Sequence, residues 1–324
     1  MDVVILGAGL SGTIAAGALS SFSPRIFEAK KKSKSGIASH HAVMRMRNPD
    51  VAKYIGMPTR KIIVQKEAVW LAMPYDRCTV RMNNAYSWKV YKNIEKRSIS
   101  QLGTVERYLI EGDIAPPNAE YKCKAVDIGD RFVSIKHGGG HVKNVRFDVL
   151  ISTIPLLSLL SIVYNREEIE NVRHVFQSKP IHVAKTRVAI ESNVHQTIYF
   201  PGTETCKNCY RATLEGQTLM MECVNGWNPD EREAILTCFG LDEGQVGPTE
   251  VYKQEHGKIK CINDDVRRAV IMDLTERFGI YSFGRFAVWR SLRADQLAED
   301  IERIVNMTRA SDITRKYREK LNES

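Results

Sequence analysis

The hydrophobic pattern of the chain begins with a short unbroken apolar run. Residues 2–6 contain Val3, Val4, Ile5 and Leu6 in succession. A run of that length bounded by glycine reads as a strand buried on both faces. Residues 13–21 are rich in Ala and Leu and read as a helix. Residues 25–27 form a second apolar run that ends on Glu28. Together these segments predict a βαβ unit at the head of the chain.

Downstream the period shortens. Residues 61–66, 68–73, 79–82 and 85–91 read as strands, the last carrying Tyr86, Trp88 and Tyr91. Asp50, after a turn at Asn48 and Pro49, is placed to cap a short helix over 51–55. Residues 98–111 hold Ile99, Leu102, Val105, Leu109 and Ile110 at three-four spacing, which predicts a helix. Residues 121–128 and 131–137 alternate as antiparallel strands. Three glycines at 138–140 make a hairpin turn into a strand at 142–147, and a buried strand at 148–153 ends at Pro155. Further strands are expected at 180–189, 197–200, 210–214, 218–224, 250–255 and 280–283. Helices are expected at 231–239, 264–278 and 292–309. This order predicts a discontinuous cofactor domain over 1–40, 115–157 and 279–324. A substrate-binding domain takes 41–114 and 158–278.

Composition narrows the class. With 324 residues, 43% hydrophobic and 26% charged, the chain has the make-up of a globular protein of two-domain size. No apolar run approaches the roughly 20 residues that span a bilayer. The N-terminus has no basic stretch ahead of its first strand, so a cytoplasmic location and no membrane partner are expected. Seven cysteines do not suggest a disulfide framework. Cys206 and Cys209 form one CxxC with no second pair at metal-binding spacing, so no metal site is expected and the pair reads as strand-end cysteines. The net charge of +9 is concentrated. Residues 25–62 carry ten Lys or Arg against Glu28 and Asp50. A belt of that density suits an anionic partner, and equally a solvated face.

The sharpest chemical signal is GAGLSG at 7–12, between the first strand and the first helix. Gly7 permits the tight turn, Gly9 lets a pyrophosphate approach the backbone, and Gly12 lets the helix pack on the sheet. The helix N-terminus turns its free N–H groups and positive dipole end to the phosphates. Glu28 follows at the spacing of an acid that binds ribose hydroxyls, about 20 residues on. Its charge disfavours the 2′-phosphate of NADP and leaves NAD and FAD open.

Three separated runs carry a family resemblance. They are GAGLSGTIAAGAL with RIFEAK, DVLISTIPL at 148–156, and GRFAVWR at 284–290 followed by Asp295 and Gln296. Together they resemble FAD-dependent flavoproteins of the glutathione-reductase and amine-oxidase type, in the UDP-galactopyranose mutase-like branch. Tyr210, Arg211, Ala212 and Thr213 resemble a substrate-domain strand of that branch. The resemblance implies an α/β fold: a Rossmann-type FAD-binding domain with an inserted α+β substrate domain. It implies FAD contacts by Gly7, Gly9, Leu10, Ser11, Gly12, Glu28, Ala29, Val126, Thr153, Gly284, Arg285, Asp295 and Gln296. One departure stands out. The family's arginine and two glycines after the acid are replaced by Lys32, Ser33, Lys34, Ser35 and a lone Gly36.

If the segment after Gly36 runs past the flavin, His40, His41 and Arg45 are the candidates for catalysis, the histidines as proton carriers near neutral pH. Arg211, in an otherwise apolar strand, and Trp289 are candidates for substrate contact. The expected function is an FAD-dependent, amine-oxidase-like oxidase or dehydrogenase acting on a C–N bond of an amine or amino-acid group. The basic belt points to an anionic substrate, or one carried on a modified nucleic-acid base. The alternatives are a non-redox flavin-dependent mutase of a nucleotide sugar and a non-catalytic flavoprotein that binds nucleic acid.

Overall fold

A computed structural model of the chain describes residues 1–32, 45–70, 75–92, 99, 102–110, 115–116, 118–190, 194–260 and 262–323. The chain travels twice between two sheets. It starts in the first with β1 (Val3–Leu6), α1 (Leu10–Ala18) and β2 (Arg25–Glu28). It leaves through β3 (Arg45–Met46), α2 (Ala52–Ile55), β4 (Thr59–Ala68), α3 (Tyr75–Tyr91) and β5 (Gly103–Ile110). It returns at β6 (Ala119–Tyr121). A separate three-stranded meander follows, made of β7 (Cys123–Gly129), β8 (Phe132–His137) and β9 (Val142–Arg146). The next elements are β10 (Val149–Ser152), α4 (Leu156–Val163) and α5 (Arg166–Arg173).

The second excursion comprises β11 (Ser178–Arg187), β12 (His195–Tyr199), β13 (Cys209–Glu215), β14 (Thr218–Cys223), α6 (Arg232–Cys238) and β15 (Glu250–Ile259). The chain ends in α7 (Asp264–Phe278), β16 (Ile280–Ser282) and α8 (Leu297–Glu323).

The first sheet has five parallel strands in the order β16-β10-β1-β2-β6. Its central strand is buried at every residue, which is why that strand reads as an unbroken apolar run. Val3 and Ile5 face α1 and α8 on one side. Val4 and Leu6 face Leu159 and Leu160 of α4, Leu274 of α7 and Val133 of the meander on the other. Thus α7 and most of α4, which fall within 158–278, pack on the parallel sheet. The second sheet has eight strands in the order β15-β11-β14-β13-β12-β4-β5-β3, antiparallel except where β12 joins β4. One of its faces, through Ala212, Leu214 and Met221, packs under Ile235 and Leu236 of α6.

Several expected elements are corrected. Of the helix expected over 98–111, Gly103 to Ile110 is instead the strand β5, paired with β4 along its length and with β3 on its other side at Tyr108 and Leu109. Two flanking strands recruit this segment, and tertiary pairing outweighs the helical spacing of its leucines. Residues 79–82 and 85–91 are not strands but lie in α3. Met82, Tyr86 and Val90, all buried, stand four residues apart on one helical face. Aromatic content suggested strands there, and spacing decides for a helix. Asp50 does not cap α2; its own N–H is held by Asn48 Oδ1. The strands expected at 61–66 and 68–73 are one strand as far as Ala68, and 71–73 lie outside the described residues. Among the described residues no helix is long and apolar enough to cross a membrane.

Trp289 is core. It is 2% exposed and meets the edge of Phe176 at 5.8 Å and of His256 at 6.1 Å between ring centroids. Trp88, by contrast, is 57% exposed on α3. Trp289→Ala should therefore cost about 3–5 kcal/mol in urea unfolding. Trp88→Ala should stay within about 0.5 kcal/mol. A tolerated Trp289→Ala would contradict this placement.

Candidate active site

The glycine motif forms a cradle at the N-terminus of α1. Gly7 sits at φ +99°, and a Cβ there would lie 2.5 Å from Thr153 Oγ1. A Cβ on Gly12 would lie 1.9 Å from the Gly7 carbonyl oxygen, so only glycine allows the first turn of α1 to lie against the strand-ending turn. Gly284 also sits at φ +99°, and a Cβ there would lie 2.1 Å from Ser11 Oγ. The Thr153 hydroxyl donates to the Leu6 carbonyl at 2.8 Å. Three segments distant in sequence therefore converge on one helix end. That end carries no acidic residue in its first turn, and Gly9 at the N-cap offers no side chain. Its N–H groups and positive dipole end face outward, ready for a phosphate.

Glu28 stands beside the cradle with its carboxylate fixed. Oε2 accepts from the Ala8 N–H and Oε1 from the Lys30 N–H, both at 2.8 Å. This ties the acid to the glycine turn at the C-terminal end of β2, where a ribose diol binds in folds of this kind. Ala29 is exposed next to it, and Val126 is exposed on β7 at a bulge. Leu10 and Ser11 are half-buried in the first turn of α1. Arg285 turns toward the second sheet, donating to the Gly257 carbonyl at 3.4 Å and lying over the Phe286 ring. Asp295 is buried and paired with Arg293, whose N–H donates to Gln296 Oε1. Of these residues, the glycine cradle and the Glu28 carboxylate are the ones held together at the C-terminal ends of β1 and β2.

The second sheet contributes a polar face. Lys66 of β4, Thr197 of β12 and Thr213 of β13 are in register, and Tyr199 stands opposite Arg211. Arg107 joins the same face from β5, opposite Ile62. Arg211 is ion-paired with Glu222 on β14, which also accepts from the Tyr210 hydroxyl at 2.9 Å. At one end Arg45 is fully engaged. It donates to Glu215 Oε2 at 2.7 Å, to Thr197 Oγ1 at 2.7 Å and to the Leu214 carbonyl at 3.0 Å. The other oxygen of Glu215 lies 2.6 Å from His195 Nδ1.

Electrostatics mark this face out. Burial pushes the Lys66 ammonium down to about 8, helped by the positive charges of Arg107, Arg211, Arg45 and Arg47. Burial and Arg47 lower Arg107 in the same way. Burial alone would raise Glu222, but Arg211 and Lys258 hold it below the usual carboxylate range. Arg107 also feels Asp295 and Arg293, in the turn ahead of α8. Burial lowers His195, against the pull of Glu215.

Sequence reasoning singled out Arg45 and Arg211 and passed over Lys66, Arg107, His195 and Glu222. A signal existed: Lys66 continues the buried phase of Ile62 and Val64 on β4, where a polar residue is out of place. His40 and His41 lie outside the described residues. Several members of the basic belt have acidic neighbours. Lys53 pairs with Glu302, Lys61 with Glu106, Arg25 with Glu120, and Arg45 is internal.

No family model matches the chain, and no curated protein matches it. Solved structures do. A reduced UDP-galactopyranose mutase aligns with TM-score 0.69 at 16% identity, over 94% of this chain and 96% of that one. A CLA-producing fatty acid isomerase from P. acnes aligns with TM-score 0.61 at 12% identity, over 94% and 98%. An oxidoreductase from Methanosarcina mazei aligns with TM-score 0.56 at 11% identity, over 94% and 100%. The chain shares their α/β, Rossmann-like fold over nearly its whole described length.

The contact between Gly284 and Ser11 is testable by itself. Gly284→Ala should destabilise the chain by about 1–3 kcal/mol, from the left-handed backbone alone. Combined with Ser11→Gly, which removes the opposing side chain, the loss should shrink, with a coupling of at least about 0.5 kcal/mol. Strict additivity in chemical denaturation would mean the two motifs do not touch.

Proposed function

We propose that the chain is an FAD-dependent enzyme of the oxidoreductase or isomerase type. FAD lies along the cradle, and a small anionic substrate is held between it and the cationic face of the second sheet. The observation that carries this reading is the gathering of Lys66, Arg107, Arg211 and Arg47. Lys66 has no carboxylate at ion-pair distance among the described residues. Like charges a few Å apart near a protein surface repel by a few kcal/mol. Such a grouping is the counterpart of negative charge that a ligand brings.

The turn at 7–12 and the N-terminus of α1 would hold the pyrophosphate, Glu28 the ribose, and the Gly284 turn the remainder of the dinucleotide. Bound there, the flavin supplies hydride transfer. The chain does the rest. Arg211, steadied by Glu222, and Arg107 bind and orient the substrate anion. Thr197 and Tyr199 border it. Lys66 Nζ, titrating near neutral pH, takes up or gives a proton. Arg45 holds β3 against β12 and β13 and so positions Thr197.

In the first form of this reading the reaction is oxidation of a C–N bond. An amino acid brings a carboxylate for the cations and an amine for the flavin. The second form is non-redox isomerisation of a nucleotide sugar. It is favoured by the cationic face itself, which offers contacts for a diphosphate. Anaerobic mixing separates them: bleaching of the flavin marks oxidation, whereas an isomeric product with unchanged flavin marks isomerisation. For an amine carried on nucleic acid, exposed Lys30, Lys31 and Lys32 are the phosphate contacts, and binding falls steeply with salt.

Lys66→Gln and Arg211→Gln should each weaken binding of the anionic substrate by about tenfold or more, with flavin content kept. An anion favours the charged ammonium. Affinity should be full below pH about 8 and fall as pH rises through it. That fall should vanish in Lys66→Gln. Titration of substrate against flavin fluorescence at several pH values reads both effects. Wild-type affinity in both variants would overturn the assignment.

A further inference from the structure

We propose that Glu120, Cys123 and His137 form a zinc-binding site at the outer edge of the parallel sheet. Cys123 opens β7 and His137 closes β8, and the two residues are directly paired across the hairpin. Cys123 Sγ lies 3.2 Å from His137 Nδ1. One ligand atom from each of the three side chains lies within 4.8 Å of the other two.

The backbone builds this grouping. Lys122, at φ +59°, turns the chain sharply out of β6 into β7, and its N–H is held by the Lys30 carbonyl at 3.1 Å. That turn brings Glu120, in the edge strand β6, close to Cys123. The His137 ring is clamped by the parallel ring of His141, 4.4 Å away at an interplanar angle of 9°.

A thiolate, an imidazole and a carboxylate are the donors that zinc takes. At the usual zinc–sulfur and zinc–nitrogen lengths, two such ligand atoms stand about 3.5 Å apart in a tetrahedron. The existing separation needs only a small opening to reach that value. Three protein ligands leave the fourth position for water. The rival role, a cysteine–histidine nucleophile, is disfavoured because Cys123 is only 4% exposed and offers a substrate no approach. Glu120 is exposed, and its 3.7 Å ion pair with Arg25 is what its carboxylate would exchange for the metal. The metal would fasten β6, β7 and β8 together beside β2. Tyr121 pairs with Glu28 there, which ties the site to the strand that carries the ribose acid.

This inference does not depend on the proposed reaction. Its test uses tag-free protein as purified, titrated with Zn²⁺ against a chromophoric chelator and, separately, with Co²⁺. The expected result is one equivalent of zinc per chain and a cobalt spectrum with tetrahedral ligand-field bands and a thiolate charge-transfer band. Cys123→Ser and His137→Ala should each weaken binding by about tenfold or more, while Cys238→Ser leaves it unchanged. Circular dichroism confirms that each variant folds. If Cys123→Ser does not fold, His137→Ala and the wild-type cobalt spectrum decide. Folded wild-type protein that takes up no stoichiometric zinc, or gives cobalt no thiolate band, overturns the site. So does unchanged affinity in folded Cys123→Ser or His137→Ala.

Discussion

The close approach of backbones at the N-terminus of α1 is the constraint on which the rest of the structure depends. Gly7, Gly12 and Gly284 each stand where a Cβ would collide with a neighbour. The neighbours come from the turn after β1, from the segment after β10 and from the first turn of α1. This contact sets how near the helix lies to the sheet. It also brings together turns that the chain reaches more than a hundred residues apart. The opening at the strand ends follows from it, because the helix N-terminus, the turn after β16 and the Glu28 carboxylate are all fixed relative to one another.

The second sheet carries its charge on one face. Its far face is apolar and covered by α6, as an antiparallel sheet packed on one side requires. Its near face carries arginines, Lys66, threonines and Glu222 at low exposure. Burying so many polar groups is costly unless each is paired, and Arg45, Arg211 and Glu222 are. Lys66, whose ammonium burial and the neighbouring arginines push down to about 8, is the group that the proposed anion would complete. Rossmann-like folds host many chemistries, so it is this face, and not the fold, that narrows the substrate.

How much of this was legible in the sequence differs by element. The opening βαβ unit was plain, because a doubly buried strand, a glycine turn and a terminal acid all agree. The meander and β10 to β14 were legible from alternation and turn residues. The strand at 103–110 was not: the Leu and Ile spacing around it suits a helix, and only pairing with β3 and β4 makes it a strand. The aromatic residues of α3 misled in the opposite sense. Trp289 lies in a motif that resembles a cofactor turn, yet its ring is used to pack the core. Glu120, Cys123 and His137 could not be seen as a group, because only the register of β7 against β8 brings them together.

The central claim is that the cradle of Gly7, Gly12, Glu28 and Gly284 is built for FAD. The visible absorption spectrum of the purified chain, with the chromophore released by heat and identified by mass, tests it most directly. The account predicts a flavin spectrum and one FAD per chain. A colourless protein that takes up no added FAD, or that binds NAD tightly in its place, would contradict it.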